Sequence, residues 1–478
     1  MMARSSSCTL NALARILWAA TLLALPVTSF RYFPAGEGTY VRPLAFFPLA
    51  LLLVALLVQL VRGETALPRP GALTPLAAFL LVAVIASLLG ILLDPVPLRG
   101  QDAIGRVLRA WTAIFMGLGF FIGAIWMNRE EAQLRFSVKW LLAGFVITLL
   151  WSGLQAATFY LQILPKPLVT QWQRAFSLRE LIRTNRISGM AYEPSWLAGQ
   201  IATVYLPWLV AAVLTRVRVT KFRWLEPCLL AAACVLVVAT FSRGGILTAA
   251  ASAGLTLTLF GRAELRSACR WFARGFSRAR DIALRLVVSA VFVGAMAGAG
   301  LLVAQKGYIS RLWNTRASDL SEFLIQNSAG ARGAYLASAM RTYEEHPWTG
   351  VGLGVSGFYM YARLPDWTLT TVPEIARQLS PESRLYPNPK NLYVRLLAEV
   401  GVLGLILYLA FQFSLLAEAL AAIWRGTSAY SYLGIAALCT WFALFIYNWT
   451  QDSFATPNLW INLGILAGLS EISRKAGR

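Results

Sequence analysis

Apolar residues in this chain come in runs of about 20, separated by short polar or charged turns. A helix of that length rises roughly 30 Å, enough to cross the hydrocarbon core of a bilayer. Twelve such segments are predicted, near 11–30, 43–62, 72–93, 107–127, 139–164, 194–215, 224–241, 244–260, 285–305, 392–413, 429–448 and 455–471. No small-x-small cleavage site follows the first, so it reads as an anchor rather than a removed signal. The runs are interrupted at length once, over 306–391. This divides the chain into spans one to nine (1–305), a large loop (306–391) and spans ten to twelve (392–478). The expectation is an all-α polytopic membrane protein.

Charge sets the orientation. With both termini on the cytoplasmic side, the cytoplasmic loops carry Arg216, Arg218, Lys221 and Arg223, then Arg262 to Arg285, then Arg474, Lys475 and Arg478. That matches the bias that keeps Lys and Arg inside. The net charge of +21, which would suggest nucleic acid in a soluble protein, is thereby largely explained by topology, and no nucleic-acid partner is expected. The arginines at 262, 266, 270, 274 and 278 form a drifting basic stripe suited to anionic lipid headgroups.

One exported stretch breaks the rule. Between residues 165 and 193 the chain carries Lys166, Arg174, Arg179, Arg183 and Arg186, although short exported loops normally lack such residues. These cations point to an anionic ligand outside the membrane. The large loop is also expected outside. It opens polar, then reads helical through ARGAYLASAMRTYEEHPW until Pro347, then enters the Gly-rich TGVGLGVSGF and a Pro- and Ser-containing stretch ending in YPNPKN. A loop of this length in a compact protein is usually functional.

Metal and disulfide chemistry find little support. Cys8 and Cys269 fall on the cytoplasmic side and Cys228, Cys234 and Cys439 within spans, so the exported loops lack a disulfide framework. His346 is the single histidine, and the chain contains no DxD pair. No cofactor is expected.

Three blocks lie on the exported face: RISGMAYEPSWLAGQ leading into the sixth span; TFSRGGIL between the seventh and eighth; and RGAYLASAMRTYEEHPWTGVGLG followed by PNPKNLYVRLLAEVGVLGLILY, which feeds the tenth. Together, over roughly residues 180–410, they resemble the bacterial O-antigen ligase and polymerase superfamily. The resemblance implies a type-C-like membrane glycosyltransferase with a large, partly helical periplasmic loop. Its substrates would be oligosaccharides carried on undecaprenyl pyrophosphate, used at the periplasmic face of the inner membrane without metal. A flippase and a chain-length regulator would be pathway partners, and membrane lipids the surroundings.

This chemistry needs cations where a lipid pyrophosphate departs, and arginine grips phosphate with parallel hydrogen bonds. Arg186, Arg243 and Arg332 are the expected group, with Arg341 behind them and Arg183 also placed to bind substrate. The competing readings are headgroup anchoring for Arg183 and Arg186 or pairing with Glu193 and Glu180, a helix-end anchor for Arg243, and surface ion pairs for Arg332 and Arg341. Glu193, fixed before Pro194, is the leading candidate base for the acceptor hydroxyl, with Tyr192 beside it as a substrate contact. Glu399, inside the tenth span, is a second candidate, or else the buried partner of an arginine. Asp452 is third. His346 reads as a substrate contact or as part of a helix-ending turn.

The ligase branch resembles a pattern of His, then Asn, Ser or Gln, nine residues, and Gly-x-x-Gly. Asn391, Gly401 and Gly404 fit it, but Lys390 stands where the histidine belongs. Lysine at its ordinary pKa accepts no proton at neutral pH, although Lys390 and Asn391 remain able to contact substrate. The sequence therefore favours a polysaccharide polymerase, with O-antigen ligase as the alternative. A twelve-span transporter is the rival from another class, disfavoured by the absence of repeated halves.

Overall fold

A computed structural model describes residues 2–34, 39–179, 186–273, 282–283, 285–286, 289, 317–326, 329–380, 382–383 and 385–476. Among them the secondary structure is helical, with isolated bridges such as Phe30 to Ser177 in place of strands. The helices are α1 (Met2–Ala24), α2 (Phe46–Val61), α3 (Leu73–Leu92), α4 (Ala103–Trp126), α5 (Glu131–Phe159), α6 (Lys166–Arg174), α7 (Pro194–Gln200), α8 (Leu206–Thr215), α9 (Leu225–Ala239), α10 (Arg243–Phe260) and α11 (Arg262–Ala273). The second half adds α12 (Leu320–Gln326), α13 (Gly330–Glu345), α14 (Gly357–Met360), α15 (Trp367–Thr371), α16 (Pro373–Leu379), α17 (Leu392–Trp424), α18 (Ser428–Tyr447) and α19 (Ile461–Ala476).

Several starts are set by local chemistry. The side chains of Asp102, Ser242, Asn391 and Thr427 cap α4, α10, α17 and α18 by accepting the N–H of Gly105, Gly245, Val394 and Tyr430. Among the described residues six helices, one of them continuous from Pro194 to Thr215, are long and apolar enough to cross a membrane, or seven if α10 and the bent-off α11 count as one span. The sequence predicted twelve. Two of the expected spans, α2 and α9, are shorter apolar helices of 16 and 15 residues, while α1 and α19 contribute the apolar stretches Thr9–Ala24 and Pro457–Leu469 among the described residues. At 1.5 Å per residue, a 15-residue helix rises only about 23 Å. The expected ninth span, 285–305, lies almost wholly outside the described residues.

The apolar faces divide as a bilayer requires. Trp18, Phe120, Phe121, Tyr205, Trp208, Tyr408 and Phe411 fill the interior, while Leu51, Leu57, Leu81, Leu108, Phe115 and Leu150 face outward. Outward leucines on this scale would be a liability in water and suit lipid. Inside, α17 packs on α3 and α18, and α13 lies against α17. Between α7 and α8 the helix widens into a π turn, Ile201–Tyr205. Asn462 serves it, donating to the Thr203 and Val204 carbonyls at 2.9 and 3.0 Å and accepting from Trp208 Nε1 at 2.9 Å. Polar backbone in an apolar interior must be satisfied in this way.

Candidate functional site

The Gly-rich segment after Pro347 docks onto a break in α17. At Gly401 the backbone leaves helical geometry (φ 68°, ψ −173°), which frees carbonyls on one side and an N–H on the other. Val351 and Gly352 donate to the freed carbonyls of Ala398 and Glu399, each at 2.9 Å, and Val402 donates to the Pro347 carbonyl at 2.9 Å. Gly352 (φ 105°) also abuts Gly90 of α3, where an added Cβ would come within 2.7 Å of the Gly90 Cα. A side chain at either position would separate the backbones.

Beneath this junction lies a group of charged residues. Arg395 Nε donates to Glu399 Oε2 at 2.9 Å, and Ser356 Oγ donates to Glu399 Oε1 at 2.9 Å. Arg395 also donates to the Asp452 carbonyl at 2.6 Å, while the Asp452 carboxylate accepts from the Lys390 backbone N–H at 3.1 Å. From α4, Arg106 stacks its guanidinium 3.7 Å over the Tyr386 ring, and the Tyr386 hydroxyl points to the Gly354 and Val355 carbonyls at 3.3 Å. Burial pushes the Tyr386 phenol well above its ordinary range, so it stays protonated. Glu399, with both oxygens engaged and its side chain 4% exposed, is held as the partner of an arginine. Its partner was legible in the i, i+4 spacing of Arg395 and Glu399. Arg106, Ser356 and Tyr386 gave no such signal, because only the fold brings them together.

The first two blocks also meet. Arg186 donates through Nε to the Thr240 carbonyl at 2.8 Å and through Nη2 to the Phe241 carbonyl at 3.1 Å. Its charge therefore sits at the negative end of α9, one short turn before Arg243 opens α10. The turn is tight: Phe241 is left-handed (φ 49°), and Gly245 lies against Ala198 of α7. Behind Arg186, Gln155 clamps the loop by accepting from the Ser188 and Gly189 N–H groups at 3.1 and 2.9 Å. Arg186 and Arg243 are both half-buried. Arg183 lies outside the described residues.

Glu193 occupies the N-cap position of α7 with one third of its side chain exposed. Arg179 pairs with its Oε2 at 3.1 Å, and Ser195 Oγ donates to Oε1 at 2.7 Å. The partner is thus Arg179, where the sequence reading named Arg183 and Arg186. Tyr192 lies under the Arg179 guanidinium, between Tyr40 and Trp196, and burial raises its phenol above the ordinary range. The Tyr447 ring packs on Gly199 of α7. Arg332 is exposed on α13.

Other candidates sit elsewhere. Arg341 is nine residues further along α13, about 14 Å away by helical rise. There it donates to the Arg363 and Leu364 carbonyls at 3.1 and 3.4 Å. His346 ends α13 with its ring 6.3 Å from Tyr359. Nearby, Arg363 pairs with Glu345, which holds that carboxyl below its usual range. Asn391 is 1% exposed and committed to capping α17, and Lys390 precedes it in a left-handed conformation (φ 50°).

Together these features define a helical membrane protein with charged residues gathered where its helices break. Residues 228–409 match the family described as O-antigen ligase. The match takes in Arg243, Arg332, Arg341, His346, Lys390, Asn391 and Glu399; Arg183, Arg186, Tyr192 and Glu193 precede it. No curated protein matches the chain.

Proposed function

We propose that the protein is a polysaccharide polymerase of the inner membrane. It joins oligosaccharide repeats carried on undecaprenyl pyrophosphate at a periplasmic site, with both termini cytoplasmic. A hydroxyl of the acceptor sugar attacks the anomeric carbon of the donor, the bond from that carbon to the pyrophosphate oxygen breaks, and the lipid pyrophosphate leaves. Glu193 takes the hydroxyl proton, and Arg179 and Ser195 hold its carboxylate in place. Arg186, Arg243 and Arg332 stabilise the charge that develops on the pyrophosphate. Tyr192 contacts substrate beside Glu193; Arg183, Arg341, His346 and Lys390 serve substrate binding further from the bond, and the buried Asn391 fixes the start of α17 next to Lys390. Glu399 supports the junction through Arg395 and Ser356. A flippase would supply the repeats and a chain-length regulator would limit the product.

The observation that carries this reading is the meeting of two separate blocks, where Arg186 bonds the Thr240 and Phe241 carbonyls directly before Arg243, in a chain whose central segment matches the family described as O-antigen ligase. An O-antigen ligase acting on lipid A core is the second reading, favoured by the family's description and by the spacing of Asn391, Gly401 and Gly404. Lys390 at the histidine position counts against it. Gene deletion with analysis of surface glycan separates the two. The polymerase reading expects long polymer to vanish while single repeats still reach lipid A. Loss of every repeat from lipid A would mean a ligase.

A further inference from the structure

Beside Glu193, three aromatic rings form a strip. The Tyr40 and Tyr192 centroids lie 5.2 Å apart at 34°, and Tyr192 and Trp196 lie 5.2 Å apart at 46°. The strip has a charged edge, because Arg179 sits 4.9 Å over Tyr192 while pairing with Glu193. Tyr40 is 41% exposed, and Tyr192 and Trp196 are half-buried. The supporting backbone is fixed independently of any ligand. The Tyr192 N–H donates to Thr28 Oγ1 at 2.9 Å, the Phe30 N–H to the Arg42 carbonyl at 2.7 Å, and the Arg42 N–H to the Thr28 carbonyl at 2.9 Å.

Exposed aromatics near a helix end also anchor proteins at the lipid surface. Anchoring alone gives no reason for an ion pair at the ring edge whose carboxylate a serine holds as well. A pyranose matches both surfaces. Its C–H face carries slight positive charge that suits the negative face of an aromatic ring. Its hydroxyl rim bonds well to a carboxylate and a guanidinium.

We propose that Tyr40, Tyr192 and Trp196 form a stacking site for a sugar of the acceptor glycan, with Arg179 and Glu193 engaging its hydroxyls. Tyr40 presents the open ring and Tyr192 supports it from behind. This rests on the transferase reading, since it sets the acceptor hydroxyl beside Glu193.

The test uses full-length protein in lipid nanodiscs. The probe is the free repeat oligosaccharide, released by mild acid from the host's lipid-linked intermediate, and binding is read by calorimetry. Tyr40→Ala should weaken binding about tenfold, the weight of one good aromatic contact, while Tyr40→Phe stays near wild type. With lipid-linked repeat as substrate, Tyr40→Ala should raise KM and leave kcat within about twofold. Unchanged binding in Tyr40→Ala, or equal loss in Tyr40→Phe, overturns the sugar site. If KM as well as kcat is unchanged in Tyr40→Ala, the site fails and the transferase reading stands. If wild type binds the oligosaccharide through Tyr40 but turns over no lipid-linked repeat, the site stands and the transferase reading fails.

Discussion

Arg395 and Glu399 are bonded at 2.9 Å, Nε to Oε2, across one turn of α17, two residues before Gly401 breaks that helix. Neither side chain is more than 14% exposed, so each charge is balanced by the other rather than by water. The pair also reaches outward, since Ser356 belongs to the large loop and Asp452 follows α18. Removing one partner leaves an uncompensated charge at a three-way junction.

Arg395→Met alone should therefore destabilise the protein by about 3–5 kcal/mol, the usual range for half of a buried pair. Arg395→Met with Glu399→Leu should recover most of the loss, because two apolar residues replace the pair without stranding a charge. Thermal unfolding of purified protein in detergent checks this. Equal melting temperatures for the single and double variants would mean that the pair is not coupled.

Arg186 is fixed by two carbonyls at once. Lysine cannot reproduce that fork, so Arg186→Lys should lose one of the two bonds, costing about 1.5–3 kcal/mol if the bond is charge-assisted. Polymer should nearly vanish in Arg186→Ala and recover poorly in Arg186→Lys. Near-normal polymer from the lysine variant would show that charge alone suffices.

Much of the fold was legible in the chain. Eleven of the twelve predicted apolar segments correspond to described helices, because bilayer thickness imposes a period that composition displays directly. Span count was less legible, since α2 and α9 match the apolar pattern but are short for a crossing. The site was legible by residue type more than by partner. Charge in a loop expected on the exported side pointed to the Arg186 and Glu193 region, and YEPSW marked the start of α7. Nothing along the chain announced Tyr40 beside Tyr192, or Arg106 over Tyr386, because those contacts arise only when distant loops fold together.

The proposed topology is open to labelling. Cysteines placed at the exposed positions Ala175 and Ala362 should react with a membrane-impermeant thiol reagent in intact spheroplasts. Cys269, exposed on α11, should react only after the membrane is permeabilised. The opposite pattern would put Glu193 on the wrong face for a lipid-linked periplasmic substrate.

The most direct measurement is the fate of lipid-linked repeat supplied to purified protein as both donor and acceptor. The account predicts a two-repeat product, with one lipid pyrophosphate released for each bond formed. Glu193→Gln should slow that release by about 10²–10⁴-fold without weakening donor binding, as expected for loss of a general base. Transfer to lipid A core with no condensation of lipid-linked repeats, or full-rate condensation by Glu193→Gln, would contradict it.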